Sequence, residues 1–455
     1  MLGLTALDIA ILAAYFVLVA AIGIISTRLI RTREDFLMGG RRFGKLLMIF
    51  FSFGAGTHAD NAVGVASKSY QVGFAGIWYQ WVMLFTLPIY WLLAPIFRRA
   101  RVLTTADFFE RRYGPWYMLV YAVFSLYICV GYTSVMLYGS ARLVEALTGG
   151  AIGWQLGILL MGGVSFLYGI AGGLVAAVWN DFFQGVLTIV MSLLIIPFFW
   201  TKIGGLHGFQ AALPNPQETF RLVLSSEMTL YWIIMMSINS LLSMVVQPHI
   251  MANTGAAKSE MDSRVGFVGG MILKRLITVP WALTGVMAIA LFGAGTIKPD
   301  HAFGAMAKDL LPSGFAGLMV ACVMASVMDN CAVMMLAFAG IYTNNVHKRL
   351  TGEPESEATL VTVSRIAAVA FALISIALSY AFTDVPGAMR FLWKTVPLMG
   401  ISFFLGLWWR KANRWGALAS FLVAFAAMLV GEYYFEWKGD AGLPKVLTLY
   451  LSTGI

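Results

Sequence analysis

Charge is what this sequence has least of. Of its 455 residues only 12% are Asp, Glu, Lys or Arg, while 60% are hydrophobic. A soluble domain carries about a quarter charged residues. A chain so short of charge has no polar surface to offer water, which excludes a string of soluble domains. Cysteine is scarce too, with three in all. Cys322 and Cys331 lie nine apart in one apolar run; at ~100° per residue they face opposite sides of a helix. No disulfide framework follows. The five histidines show no metal-ligand spacing. Also missing are a G-x-x-x-x-G-K-S/T phosphate loop and a G-x-S-x-G nucleophile elbow, so the chain is not read as an enzyme and no cofactor is expected. The net charge is +9, but no soluble basic domain presents it, so nucleic acid is not expected as a partner. The first apolar segment lacks a basic n-region and a small-residue cleavage site, and reads as a retained helix.

What the chain does have is long apolar runs. A membrane helix needs ~20 mainly apolar residues. Twelve candidates stand at 6–29, 44–68, 72–97, 114–147, 151–171, 174–202, 228–250, 264–293, 314–346, 361–383, 388–409 and 413–436. The expectation is an all-α polytopic protein of about twelve spans, with the lipid bilayer as its surroundings. The basic residues support that count. Arg28 to Lys45, Arg98 to Arg112, Lys258 and Arg264, Lys348 and Arg349, and Arg410 to Arg414 all fall in loops on one side. The positive-inside rule makes that side cytoplasmic, which puts the protein in the plasma (inner) membrane with its N-terminus outside. The expected division is a leading helix and basic loop over 1–43, a first block over 44–202, an external loop over 203–227 with a short surface helix, a second block over 228–409, and a last helix and tail over 410–455. Each block holds five spans. Five is odd, so the second block is upside down relative to the first, as in inverted-repeat transporters. Nothing in the sequence sets an oligomeric state.

The apolar spans are interrupted by polar residues, which are costly in hydrocarbon and usually functional. The second span holds Gly54-Ala55-Gly56-Thr57-His58-Ala59-Asp60-Asn61. Glycine tolerates unwinding, and unwound carbonyls need an ion, water or protein partner, so a broken helix is expected here. The alternative is a continuous helix packed closely through its glycines. Gly172-Gly173-Leu174 lead to Trp179-Asn180-Asp181 in the sixth span. Ser326, Asp329 and Asn330 in the ninth are spaced i, i+3, i+4 and share one helix face. A hydroxyl, a carboxylate and an amide there can hold a hard cation through oxygen, or Asp329 can pair with a cation such as Lys274. Asp60 and Asp181 can likewise be structural partners of Lys or Arg. Lys394 sits a few residues inside its span, where it can snorkel or meet a solute. His58 and His249 read as buried imidazoles with satisfied hydrogen bonds.

Taken together these pieces resemble the sodium:solute symporter family over about Asp35 to Ala417. They include Asp35-Phe36-Leu37-Met38-Gly39-Gly40-Arg41, the polar break at 54–61, Tyr79-Gln80-Trp81, Trp179-Asn180-Asp181, Gln247-Pro248-His249-Ile250, and Phe404-Leu405-Gly406-Leu407-Trp408-Trp409-Arg410. The Gln-Pro-His-Ile run looks most like the proline-carrier branch. The resemblance implies a five-plus-five inverted repeat with a leucine-transporter-like core and one helix before it. It also implies a cation-coupled secondary transporter of a small polar solute. Carried over by position, Gly54, Thr57, Ser326, Asp329 and Asn330 would surround a cation, with Asp181 beside it. Asn61, Asp60, Gln80, Lys274 and Lys394 are the solute candidates. Members that couple to sodium usually have two hydroxyl residues where this chain has Asp329-Asn330, so Na+, H+ or an uncoupled carrier remain readings of the coupling. A membrane sensor that kept the fold and lost transport is the rival.

Overall fold

The computed structural model describes residues 5–27, 43–100, 105–169, 174–352, 356–435 and 439–454. For Asn180, His249 and Asp329 it describes the backbone only. Gly172 and Gly173 lie outside the described residues, as do the basic positions from Arg28 to Arg42. Every regular element among the described residues is helical, because each long apolar run must satisfy its backbone internally to stand in lipid.

Helix α1 is Ala6–Thr27. The second expected span is broken into α2, Lys45–Gly54, and α3, Ala59–Val72. A tightly wound stretch over residues 73–86 follows, then α4, Leu87–Ala100. A short α5, Thr105–Tyr113, leads into α6, Pro115–Leu147. Helix α7 is Trp154–Gly169 and α8 is Leu174–Ile203. The surface helix expected in the 203–227 loop is α9, Gly205–Ala212.

The second block opens as the first does, on a broken helix. The seventh expected span divides into α10, Leu230–Val245, and α11, Pro248–Gly255. The sequence reading had one continuous span over 228–250. Pro248 has no N–H to carry the ladder forward, and it starts a new helix at the first position, where none is needed. Helix α12 is Glu260–Phe292, α13 is Ala302–Leu310 and α14 is Phe315–Ile341. Then come α15, Glu357–Ser379, and a span broken around Pro397 into α16, Val385–Thr395, and α17, Gly400–Trp408. Helix α18, Arg414–Leu429, and α19, Gly439–Gly454, end the described chain. The architecture is thus a five-plus-five inverted repeat preceded by one helix.

Local chemistry sets several helix starts. Thr229, Ser259, Ser356, Asp384 and Asn413 each accept a bond from a backbone N–H in the first turn that follows. Such caps satisfy donors that the helix itself leaves open. The Ser259 cap explains why α12 begins four residues before its expected start at 264. Packing without a hydrophobic drive relies on small residues. Gly270 of α12 is one: a Cβ there would lie 2.7 Å from the Ile49 carbonyl oxygen, so α2 and α12 touch backbone to backbone.

The two ends of the bundle are stitched differently. At one end the basic loops converge. Lys258 N–H donates to the Phe43 carbonyl at 2.9 Å, Arg98 donates to the Ala257 carbonyl, and Arg99 pairs with Glu260. Arg112 donates to the carbonyls of Gly406 and Trp409, and Arg349 pairs with Glu110. At the other end a buried carboxylate straps three elements together. Asp300, just before α13, accepts from Ser67 Oγ of α3 at 2.9 Å and from Val385 N–H of α16 at 3.0 Å. Lys68 of α3 pairs with Glu227.

Asp8 fixes the leading helix to α14. Its Oδ1 accepts from the N–H groups of Gly314 and Gly317 at 2.7 and 2.8 Å, and its Oδ2 accepts from Thr5. These bonds cap the start of α14 with a charge, the favourable sign at a helix N-terminus. Asp8→Ala is expected to cost about 2 kcal/mol or more, read as a fall in Tm of the purified protein, with the cation dependence of transport unchanged. An unaltered Tm would mean that the cap contributes nothing.

Candidate functional site

The break in the first repeat organises the site. Helix α2 ends in a tight turn, where Ala55, Gly56 and Thr57 donate back to Phe51, Phe53 and Gly54. His58 is extended and starts α3. The peptide groups between Gly54 and Ala59 are thereby taken out of the α-helical ladder in the middle of the bundle. Two polar clusters form against them, one on each side.

The first cluster is charged. The Lys274 ammonium of α12 donates to the Gly56 carbonyl and to Asn61 Oδ1. Asn61 in turn donates to Asp60 Oδ2 at 2.7 Å. Asp60 and Asn61 are both buried. Lys274, Asn61 and Asp60, three of the five solute candidates, are therefore one connected network. Gln80, the fourth, stands next to it but bonds elsewhere. Its Oε1 accepts from Arg275 Nη1 at 2.9 Å, and Trp81 Nε1 donates to the Arg275 carbonyl. Lys394, the fifth, pairs with Glu432 at 2.8 Å, which ties α16 to the turn after α18. Lys274 is held by the break and Asn61; the Asp329 side chain lies outside the described residues. Beyond Gln80 stands an aromatic group, with the Tyr79 and Trp393 rings edge to face at 4.7 Å and Trp232 against both.

The second cluster surrounds a small cavity of about 40 Å³ between the break, α8, α12 and α14. On the scale where about 10–15 Å³ admits one water, the space holds a few waters or a cation. Thr57, His58, Thr188, Ser192, Trp281 and Ser326 contribute to its walls. Thr57 Oγ1 is buried with no hydrogen-bond partner among the described residues. Ser326 Oγ donates to the Val323 carbonyl at 3.0 Å, which leaves its lone pairs open. One turn on, Asn330 Nδ2 donates to the Ser326 carbonyl at 3.0 Å. The Asp329 backbone lies on the same stretch of α14, and its side chain is outside the description. Gly54 and Asp181 meet directly: a Cβ at Gly54 would stand 2.7 Å from Asp181 Cγ. Thr57 and Ser326 thus share the cavity, with Gly54, Asp181 and Asn330 next to it rather than in its lining. Thr57 and Ser326 bring hydroxyl oxygens, the ligand type a hard cation takes, into walls that are otherwise chiefly apolar, with Leu143, Met191, Phe303 and Met319 among them.

Other participants were not named as site residues from the sequence, although Gln247 stood in the Gln-Pro-His-Ile run. Gln247, at the second break, donates to Tyr132 OH at 2.8 Å and so ties that break to α6. Pro248 was the signal for it. Thr188, Ser192 and Trp281 line the cavity but look like ordinary span residues; Trp281 Nε1 donates to Ser192 Oγ at 2.8 Å.

A helix broken at mid-bundle, with a small cavity lined by two hydroxyls on one side and a buried charged cluster on the other, fits a secondary transporter that moves a solute together with a cation. The model of the sodium:solute symporter family matches residues 36–424, and the chain belongs to that family. Its relatives are transporters and not enzymes. The osmoregulated proline transporter of Bacillus subtilis (strain 168) is 25% identical, covering 92% of this chain and 87% of its own. The sodium/glucose cotransporter of Vibrio parahaemolyticus is 26% identical, covering 91% and 83%. A solved structure of a Na+-coupled sialic acid symporter in its substrate-bound outward-open state shares the fold at a TM-score of 0.83, with 16% identity over 99% of this chain and 97% of that one.

Proposed function

We propose that this symporter uses sodium to drive a small polar organic solute across the plasma membrane, with its N-terminus outside and its basic loops in the cytoplasm. The observation that carries the reading is the adjacency of Gly56 and Thr57. Gly56 gives its carbonyl to Lys274 on the solute side, and Thr57 lines the cavity on the cation side. A ligand shifts a conformational equilibrium only by its differential affinity for the two states. Two ligands that act on adjacent peptide groups of one broken helix bias the same element. In this reading Gly54, Thr57, Ser326, Asp329 and Asn330 bind the cation with Asp181 in support, and Asn61, Asp60, Lys274 and Gln80 face the solute. Lys394 serves the bundle through Glu432. The functional units run over 1–43, 44–202, 203–227, 228–409 and 410–455. The convergence of the basic loops at one end supports the orientation.

Proton coupling is the second reading, favoured by Asp329-Asn330, a carboxylate and an amide where sodium-coupled members usually have paired hydroxyls. Proteoliposomes separate the two. With radiolabelled L-proline, D-glucose and pyruvate as first probes, an inward sodium gradient is expected to raise initial uptake severalfold, and a pH gradient without sodium to leave it at the leak rate. Uptake driven by the pH gradient alone assigns the ion as H+; indifference to both gradients removes the coupled reading.

A further inference from the structure

Arg275 is buried at 3% exposure in the middle of α12. Its Nη1 donates to Gln80 Oε1 and its Nη2 faces the Met83 sulfur at 2.9 Å. Its Nε is buried with no hydrogen-bond partner, and no carboxylate among the described residues pairs with it. Lys274, its neighbour in sequence, is already matched by Gly56, Asn61 and the nearby Asp60. Among the described residues this cluster therefore holds two cations and one carboxylate. An uncompensated charge inside a bilayer is costly, and such residues face a partner or a pathway. Replacing it by a neutral residue would be the cheaper solution for packing alone.

We propose that Arg275 is a binding residue for the carboxylate of an organic-anion solute. This rests on the symporter reading above and names the chemical class of its solute. A guanidinium receives a carboxylate through two parallel N–H donors. Of its edges, the Nε–Nη2 edge is the one left to a ligand: Nε donates to nothing, and Nη2 meets only a thioether, a weak acceptor. Gln80 holds Nη1 and so fixes the plane of the fork. Asp60 receives the Asn61 amide at Oδ2 while its Oδ1 is unbonded among the described residues, but its charge is already met by Lys274, so the surplus charge beside it is the positive one of Arg275. The solute that fits carries a carboxylate without a neighbouring amine.

Thermal unfolding of the full chain in detergent with sodium tests this, with pyruvate and succinate as anionic probes, and L-proline, D-glucose and myo-inositol as controls. The background salt is methanesulfonate, with a chloride arm. The carboxylates are expected to raise Tm of the wild type. R275Q is expected to weaken that binding roughly 30-fold or more, and R275K to fall between. R275Q without ligand is expected to unfold no earlier than wild type, since it removes an unpaired buried charge; a purely structural Arg275 would show the reverse. Protection by the neutral or zwitterionic controls with equal strength in R275Q, or by chloride alone, overturns the proposal. If sodium drives proline or glucose uptake and carboxylates do not compete, this inference fails and the symporter reading stands. If carboxylates bind through Arg275 and no ion gradient drives uptake, the coupling fails and this inference stands.

Discussion

Lys274→Ala is expected to lower solute uptake by at least 100-fold while leaving a foldable protein of reduced stability. Lys274 is the donor that holds the Gly56 carbonyl and Asn61. Without it the break loses its partner, and Asp60 keeps only the Asn61 amide, with its Oδ1 buried and unbonded among the described residues. Breaking a buried charge network from one side costs roughly 3–5 kcal/mol. A second substitution separates the roles. Asp60→Asn in the Lys274→Ala background removes the stranded carboxylate and is expected to restore most of the lost Tm. Uptake stays absent, because the solute pocket still lacks its ammonium. Initial rates in proteoliposomes, normalised to folded protein, read both. Uptake of Lys274→Ala within threefold of wild type would show that the ammonium is structural only.

Gly54→Ala is expected to abolish cation stimulation, raising the half-saturating sodium concentration tenfold or more. The added methyl would stand 2.7 Å from Asp181 Cγ and 2.8 Å from its Cβ. Both atoms belong to a side chain held between α2 and α8, so either the carboxylate turns away or the two helices part. Gly56→Ala is the control. A Cβ there would meet only the Ser52 carbonyl oxygen, at 3.6 Å, which is ordinary contact, and the carbonyl given to Lys274 is retained. Sodium titration of uptake is expected to separate these two neighbours sharply. If Gly56→Ala is the more damaging, the meeting of Gly54 with Asp181 does not govern the cation.

How far the sequence carried depended on what each signal encodes. Apolar length gave the twelve spans, and glycines beside polar residues gave the break at 54–61, because both are local. The break at 246–247 went unread since one proline inside an apolar run marks a kink as readily as a gap. Lys394 read equally as a snorkelling residue and as a solute contact, because its partner Glu432 lies 38 positions away and no periodicity links them. Arg275 was passed over for the opposite reason. Lys274 and Arg275 are adjacent and look alike in sequence; only the packing of α12 sends one to the break and the other to Gln80. The contact of Gly54 with Asp181 joins two helices distant in sequence; neither segment shows it by itself, and only the family resemblance put the two near one cation.

The Asp300 strap has an energetic meaning. Opening that end of the bundle must release the Ser67 and Val385 bonds together. Hydrogen bonds to a charged group are worth about 1.5–3 kcal/mol each, while one elementary charge falling through 100 mV yields about 2.3 kcal/mol. The strap acts as a detent: its two bonds together are worth about 3–6 kcal/mol, which thermal motion alone seldom supplies, while two charges falling through 100 mV yield about 4.6 kcal/mol. A stiffer fastening would stall the carrier, and a slacker one would let the solute slip back without its ion.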